Sequence, residues 1–223
     1  MSLASGILNE KVALGEGCET DDRVVIGYPS DRMIQFERLL IGKNARIRSG
    51  SVIYCGSEIG DNLQTGHNVL IREENLIGDN FRIWNNSVVD YGCVIGNNVK
   101  IHCSVYIAQY TVIEDDVFMA PGVIVANDLH PGCRYSAQCM KGPIIKKGAQ
   151  IGVNVTLLPF ITVGEGSLIG GGSVVTKDVP PRSVVYGNPA RVVKNIDDLR
   201  CITGLTDKPY RGDTIRNLRS SRR

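Results

Sequence analysis

Residues 77–113 read IGDNFRIWNNSVVDYGCVIGNNVKIHCSVYIAQYTVI, and an apolar residue returns at every sixth place: Ile77, Ile83, Val89, Ile95, Ile101, Ile107 and Ile113. The beat runs back through Ile71, Thr65, Ile59, Ile53 and Ile47 to Ile41, and forward through Met119 to Val125. Of these fifteen positions only Thr65 is polar, a run that chance does not produce in a chain that is 43% hydrophobic. After a gap of twenty residues it resumes at Ile145, Ile151, Leu157, Val163, Ile169 and Val175, so that one pattern governs the chain from Ile41 to Pro180.

A period of six is neither that of a helix nor that of a strand. It fits a short strand followed by a corner. Three such units make an 18-residue coil with three faces, stacked on the next coil at the ordinary strand spacing. Ile-Gly recurs every 18 residues at Ile41-Gly42, Ile59-Gly60, Ile77-Gly78 and Ile95-Gly96, which predicts a single column beside one corner. A second inward residue follows each beat by four places, as at Ala45, Ser51, Ser57, Leu63, Val69, Val99, Val105, Thr111, Val117 and Val123. Gly56, Asn62, Gly66, Asn80, Gly92, Asn98 and Gly122 supply residue types that tolerate corner dihedrals. The expectation is an all-β parallel β-helix of about seven to eight such coils, with one long loop and a short C-terminal helix and tail.

With 25 basic and 23 acidic residues the chain has no charge bias that would suggest nucleic acid. No apolar run approaches the length of a membrane span, and the N-terminus lacks a signal-peptide pattern. Seven cysteines contain no Cys-x-x-Cys pair. Several, such as Cys93 and Cys103, fall at interior or corner positions, as expected of packing residues in a reduced cytoplasmic protein rather than of a zinc or disulfide site.

Residues 1–195 read as one β-helical domain. Leu8, Leu14 and Ile26 mark an irregular first coil, and residues 28–40 mark a loop at its edge. A second loop, residues 127–143, interrupts the beat, and residues 180–195 close the prism. Residues 196–223 read as a short helix, from Ile196 to Ile202, and a basic tail with four arginines between Arg216 and Arg223.

Three stretches carry a resemblance: residues 153–193, VNVTLLPFITVGEGSLIGGGSVVTKDVPPRSVVYGNPARVV; residues 126–131, ANDLHP; and residues 65–80, TGHNVLIREENLIGDN. The sequence resembles the hexapeptide-repeat acyltransferases, whose coils are left-handed. Gly187-Asn188-Pro189-Ala190-Arg191 is shared across that family, while Gly66-His67-Asn68 and Arg72-Glu73-Glu74-Asn75 resemble the branch acting on nucleotide-linked deoxyamino sugars. The resemblance implies a homotrimer with active sites between subunits, and acetyl-CoA or another acyl-CoA as donor. A triangular prism with three flat sides also suits threefold closure.

Acyl transfer from a thioester to an amine needs a neutral amine, a donor for the developing oxyanion and close positioning, and no covalent nucleophile or metal. His67, outward at a corner, is the expected base; it could also be an ordinary surface histidine. Asn85 falls in the same column one coil on, about 5 Å away, where it could orient the ring or hold substrate. Asp90 is a second catalytic candidate, one face round, and equally a solvated aspartate. His130 lies in the loop where the family usually has an aromatic or apolar residue before the proline. His102 stacks above Trp84 and reads as packing. By resemblance Asn127 lines the substrate cleft and Arg72 belongs to the amino-sugar motif, while Asp128 could pin the loop through an Asx turn. For the donor, the pantetheine amides are expected on strand backbone around Gly152, and the phosphates near Lys177 and Arg191. Both side chains could also be plain surface charge.

The same coil carries metal-dependent hydratases resembling γ-class carbonic anhydrase, which need three convergent histidines. His67 and His102 are 35 residues apart and Ile107 stands where a third ligand would be expected. A non-catalytic trimeric scaffold would also fit the repeat, and among enzymes an O-acetyltransferase acting on a sugar hydroxyl is the nearest rival.

Overall fold

A computed structural model describes residues 6–7 and 10–210. Leu8 and the stretch Arg216 to Arg223 lie outside the described residues. The chain is a left-handed parallel β-helix. Each coil crosses three faces in turn, here called A, B and C. Among the described residues face A holds nine strands, from Gly6–Ile7 through Val25–Tyr28 and Val52–Tyr54 to Val174–Val175; face B holds eight and face C ten. Register advances by one coil per strand: Leu70 pairs with Val88 and Ile71 with Val89 on face A, and Ile77 with Ile95 on face B. The prism begins before the regular beat, since residues 6–28 already supply two face-A strands.

The beat residues are the core. Ile53, Ile71, Val89 and Ile107 stack behind face A, all fully buried, as do Ile83 and Ile101 behind face C. The second inward set, from Ala45 to Val123, is buried as well. Its polar members complete corner hydrogen bonds: Ser57 donates to the Arg72 carbonyl (2.8 Å) and accepts from the Asn75 N–H (3.0 Å), and Ser87 and Ser51 act alike at other corners. A hydroxyl that bridges two coils removes the cost of burying it.

Corner residues separate into two chemistries. Asn62, Asn80 and Asn98 all adopt left-handed backbone (φ 62°, 59° and 58°), and their carboxamides link coil to coil at 3.1 Å. Gly60 has ordinary φ and is small for another reason: a Cβ there would come within 2.9 Å of the Gly78 carbonyl carbon. The predicted Ile-Gly column is therefore a line of closest approach between coils.

Two excursions leave the prism at the same edge, the A/B corner. Residues 29–38 separate the face-A strand Val25–Tyr28 from the face-B strand Leu39–Ile41. The second loop separates Ile124–Val125 on face A from Ile144–Ile145 on face B. It is thus an insertion into one corner, closed at its root by the Lys141 N–H donating to the Asn127 carbonyl (2.8 Å). It carries the one α-helix among the described residues, Ser136–Cys139.

The C-terminal segment departs from expectation. Ser183–Gly187 and Ala190–Asn195 form an antiparallel hairpin on the end of face C, and the anticipated helix is a single 3-10 turn, Ile196–Asp198. Asn195 caps that turn and Asp198 returns a bond to the Asn195 N–H, while only Ile196 is buried, so one turn satisfies the local donors and nothing apolar extends it.

Candidate active site

A polar network runs along the A/B corner between the two excursions. Face-A strands Leu70–Ile71, Val88–Val89 and Tyr106–Ile107 end at successive coils, and the residues that follow stack: Arg72 beneath Asp90, and Glu73 beneath Tyr91 and Gln109, then Asn127. Asp90 is 5% exposed and accepts four hydrogen bonds. Arg72 Nη1 (3.2 Å) and the Tyr91 N–H (2.9 Å) reach Oδ1; Tyr106 Oη (2.7 Å) and Gln109 Nε2 (2.5 Å) reach Oδ2. Gln109 Oε1 in turn accepts from Asn127 Nδ2 at 2.6 Å. Burial and the hydrogen bond to Asp90 push the Tyr106 phenol well above its usual range, so it stays protonated and donating. Four donors fill the four lone-pair sites of a carboxylate. All four sites of Asp90 are thus engaged in this arrangement, where it holds its neighbours in place.

Below this, Glu73 is wholly buried between Arg72 (2.9 Å) and Arg32 (3.2 Å). Burial opposes its ionisation, but a backbone hydrogen bond and the two guanidiniums outweigh that and hold the carboxyl below its usual range. Arg32 comes from the first excursion; it also pairs with Glu74 (2.8 Å) and lies 3.6 Å from the Tyr91 ring centroid. The first loop is thereby strapped to the corner that bears the second.

His67 sits elsewhere, on the C/A corner after the strand Gln64–Thr65. Its exposed ring is held by Ser49 Oγ at Nδ1 (2.8 Å), which leaves Nε2 outward. Asn85 stands one coil above, as the spacing requires, but its Oδ1 accepts the His67 backbone N–H (3.0 Å), the bond Asp79 gives Asp61 and Asn97 gives Asp79 at the B/C corner. Ring orientation thus falls to Ser49, not Asn85. Thr65, the one polar beat residue, is 2% exposed and spends its hydroxyl on the Arg48 N–H (2.9 Å). Its polarity belongs to the coil. His102 has its ring edge-on to Phe118 at 5.6 Å, and burial together with nearby Lys100 lowers its pKa below the usual histidine range.

Asp128 does pin the loop: it accepts from the His130 N–H (2.9 Å) and from Ser136 Oγ (2.5 Å). His130 is exposed just above. Gly152 lies on the C/A corner, where a Cβ would come within 2.7 Å of Ile169 O, and its N–H already donates to that carbonyl (2.8 Å). The close approach of the next coil gives the glycine a packing reason of its own. Lys177 is exposed beside the final face-A strand, and Arg191 is exposed on the hairpin with one guanidinium nitrogen on the Ala190 carbonyl (2.9 Å). Burial pushes the Cys93 thiol up to about 12, and all seven cysteines are free. Among the described residues no three His, Cys, Asp or Glu side chains are grouped to hold a metal ion.

Residues 76–109 and 142–177 match the sequence profile described as bacterial transferase hexapeptide (six repeats). The galactoside O-acetyltransferase of Escherichia coli K12 is 40% identical over 94 residues, 40% of this chain and 46% of that protein. Several Staphylococcus aureus proteins provisionally named acetyltransferases are 55% identical over 58 residues, 26% of this chain and 29% of theirs. The chain thus spans less than half the length of these relatives. A UDP-N-acetylglucosamine acyltransferase from Bacteroides fragilis superposes with a TM-score of 0.57 at 20% identity, over 87% of this chain and 74% of that one, and shares its fold. Residues 76–109 and 142–177 are thus similar to hexapeptide-repeat transferases.

The matched profile covers Asp90, Gln109, Gly152 and Lys177, whereas His67, Arg72, Asn127 and Arg191 lie outside it. The structure brings Arg72, Asp90 and Asn127 into one connected network and leaves His67 with Asn85 on a different corner. Sequence reasoning missed Gln109, Tyr106, Arg32 and Ser49. Gln109 and Ser49 had a usable signal, since each is 18 residues from a selected residue, Asn127 and His67 respectively. Arg32 had none, because it sits in an aperiodic loop.

Proposed function

We propose that this protein moves an acyl group, acetyl in the simplest case, from acyl-CoA to the amino group of a nucleotide-linked deoxyamino sugar, working as a cytoplasmic homotrimer in polysaccharide biosynthesis. The observation that carries the reading is a hexapeptide-repeat prism broken at one corner only, where two loops enclose a preorganised polar network containing Arg72, Asp90 and Asn127. Loops on a rigid scaffold are where substrate contacts collect. The amine lone pair attacks the thioester carbonyl, a C–N bond forms, the C–S bond breaks, and the proton lost from nitrogen passes to a base while CoA leaves as thiolate.

His67 is the base in this reading, with Ser49 fixing Nδ1 and Nε2 free. His67 stands on the C/A corner and Arg72 on the A/B corner, one face apart, and in this reading the amine lies between His67 of one subunit and the A/B corner of its neighbour. Lys177 and Arg191 would receive the CoA phosphates near the prism end.

Two observations favour variants of this reading. The 40% identity to a galactoside O-acetyltransferase favours a hydroxyl acceptor, and the position of His130 on the loop rooted at Asn127 favours His130 as base. Thiol release from acetyl-CoA, followed with a panel of amino-sugar nucleotides and neutral sugars, separates the acceptors: turnover on hydroxyl sugars alone overturns N-acylation. His67→Asn is expected to lower kcat about 10²- to 10⁴-fold; near-normal turnover in that variant, with loss in His130→Asn, moves the base to the loop.

A further inference from the structure

A carboxylate can only accept hydrogen bonds. The group of Gln109 that touches Asp90 Oδ2 at 2.5 Å must therefore be its NH2, which turns its carbonyl toward Asn127. Asn127, 2.6 Å from that carbonyl, must likewise answer with its NH2, whose nitrogen also lies 3.4 Å from Met140 Sδ. The amide direction of Asn127 is thus dictated two residues away by a buried charge. Its Oδ1 is left without a hydrogen-bond partner, and because no buried side-chain oxygen among the described residues lacks one, that oxygen is open to solvent. It sits at the root of the second loop, on a half-buried residue whose backbone is fixed by Lys141.

We infer that Asp90 and Gln109 are positioning residues that lock the Asn127 carboxamide with its oxygen outward, so that the site grips an acceptor substrate through an N–H or O–H and turns away carboxylate or phosphate oxygens. The identity of that acceptor rests on the acyl-transfer reading; the direction of the amides does not. Arg72, Tyr106 and the Tyr91 N–H hold the other lone pairs of Asp90, so the charge has one orientation to impose.

The test exploits the alternation of donor and acceptor. Asp90→Asn can offer Gln109 either an oxygen or an NH2, so the direction is no longer imposed; the acceptor KM should rise about tenfold, one neutral hydrogen bond, with the acetyl-CoA KM unchanged. Gln109→Glu sets two carboxylates against each other and should be worse, recovering as the pH is lowered and one takes a proton. In the double variant Asp90→Asn/Gln109→Glu the Asn NH2 meets the Glu carboxylate, whose other oxygen again accepts from Asn127. The acceptor KM should return toward wild type, with Tm unable to account for the recovery. A double variant no better than the poorer single variant overturns the inference. Asn127→Leu, which leaves every Asp90 contact in place, should raise the acceptor KM and spare that of acetyl-CoA; an unchanged acceptor KM also overturns it. Hydrogen exchange of the Asn127 side-chain amide in ¹⁵N-labelled protein needs no substrate: slow in wild type and double variant, fast in Asp90→Asn. If that pattern holds while the wild type acylates no sugar, the acyl-transfer reading fails and the locked amide stands; uniform exchange rates sink the lock itself.

Discussion

Glu73 is the wholly buried carboxylate of the corner. It has no exposed surface, and two guanidiniums and a backbone hydrogen bond hold it ionised against the penalty of burial. Its folded-state pKa is depressed, so the stability it contributes is present above the ordinary glutamate range and is lost as pH falls through the lower, folded value. Glu73→Gln should lower Tm at neutral pH, the neutral amide leaving Arg32 and Arg72 partly unpaired. The gap between variant and wild type should close as the pH drops below about 4. Calorimetry across that range checks it, and a gap that widens in acid would contradict the assignment. Asp90 differs in kind from Glu73: its donors include a phenol and an amide as well as an arginine, and that mixture makes it an orienting group.

At the scale of the element, most strands here are two residues long and cannot stand alone. The corners determine whether coils stack. Asn80 combines left-handed backbone with side-chain bonds to Asn62 below and Asn98 above, each 3.1 Å. Asn80→Ala forfeits both bonds and strains the backbone, at about 2 kcal/mol; Asn80→Gly should recover roughly half, since the strain goes but the bonds do not return. Thermal melts of the pair separate the two contributions. Such ladders explain how much could be read in advance. A strand-corner repeat writes its core into the sequence at fixed intervals, so the prism, its faces and the columns of Asn85 and Asn127 were legible from Ile41 onward. What the columns do was less so. Spacing places Asn85 above His67 but cannot tell a backbone cap from a ring partner, and it shows nothing of the four donors that surround Asp90. The hairpin after Ser183 and the strap by Arg32 escaped because neither obeys the period; the first turns the chain back antiparallel and the second is held by charge across 41 residues of sequence.

For the whole molecule, the three faces differ outward. Face C shows Arg46, Gln64, Arg82 and Lys100, while face A shows Val52, Leu70 and Val88, and face B carries Leu76 and Val94, 52% and 45% exposed. A threefold assembly would cover the apolar rows and leave the basic one wet. On the homotrimer proposal, the double variant Leu76→Lys/Val94→Lys should sediment as a monomer while the β-sheet circular dichroism persists. A wild-type protein that sediments as a monomer would remove the intersubunit cleft and with it the pairing of His67 with the A/B corner.

The second loop is tied off by one backbone hydrogen bond across its neck, between Asn127 and Lys141. Everything distal to that knot hangs from a single neck, while the strands on either side keep register past it, Val112 with Ile144 on face B and Ile124 with Thr156 on face A. Foreign loops grafted at the same neck should therefore leave the phase of the coils unchanged.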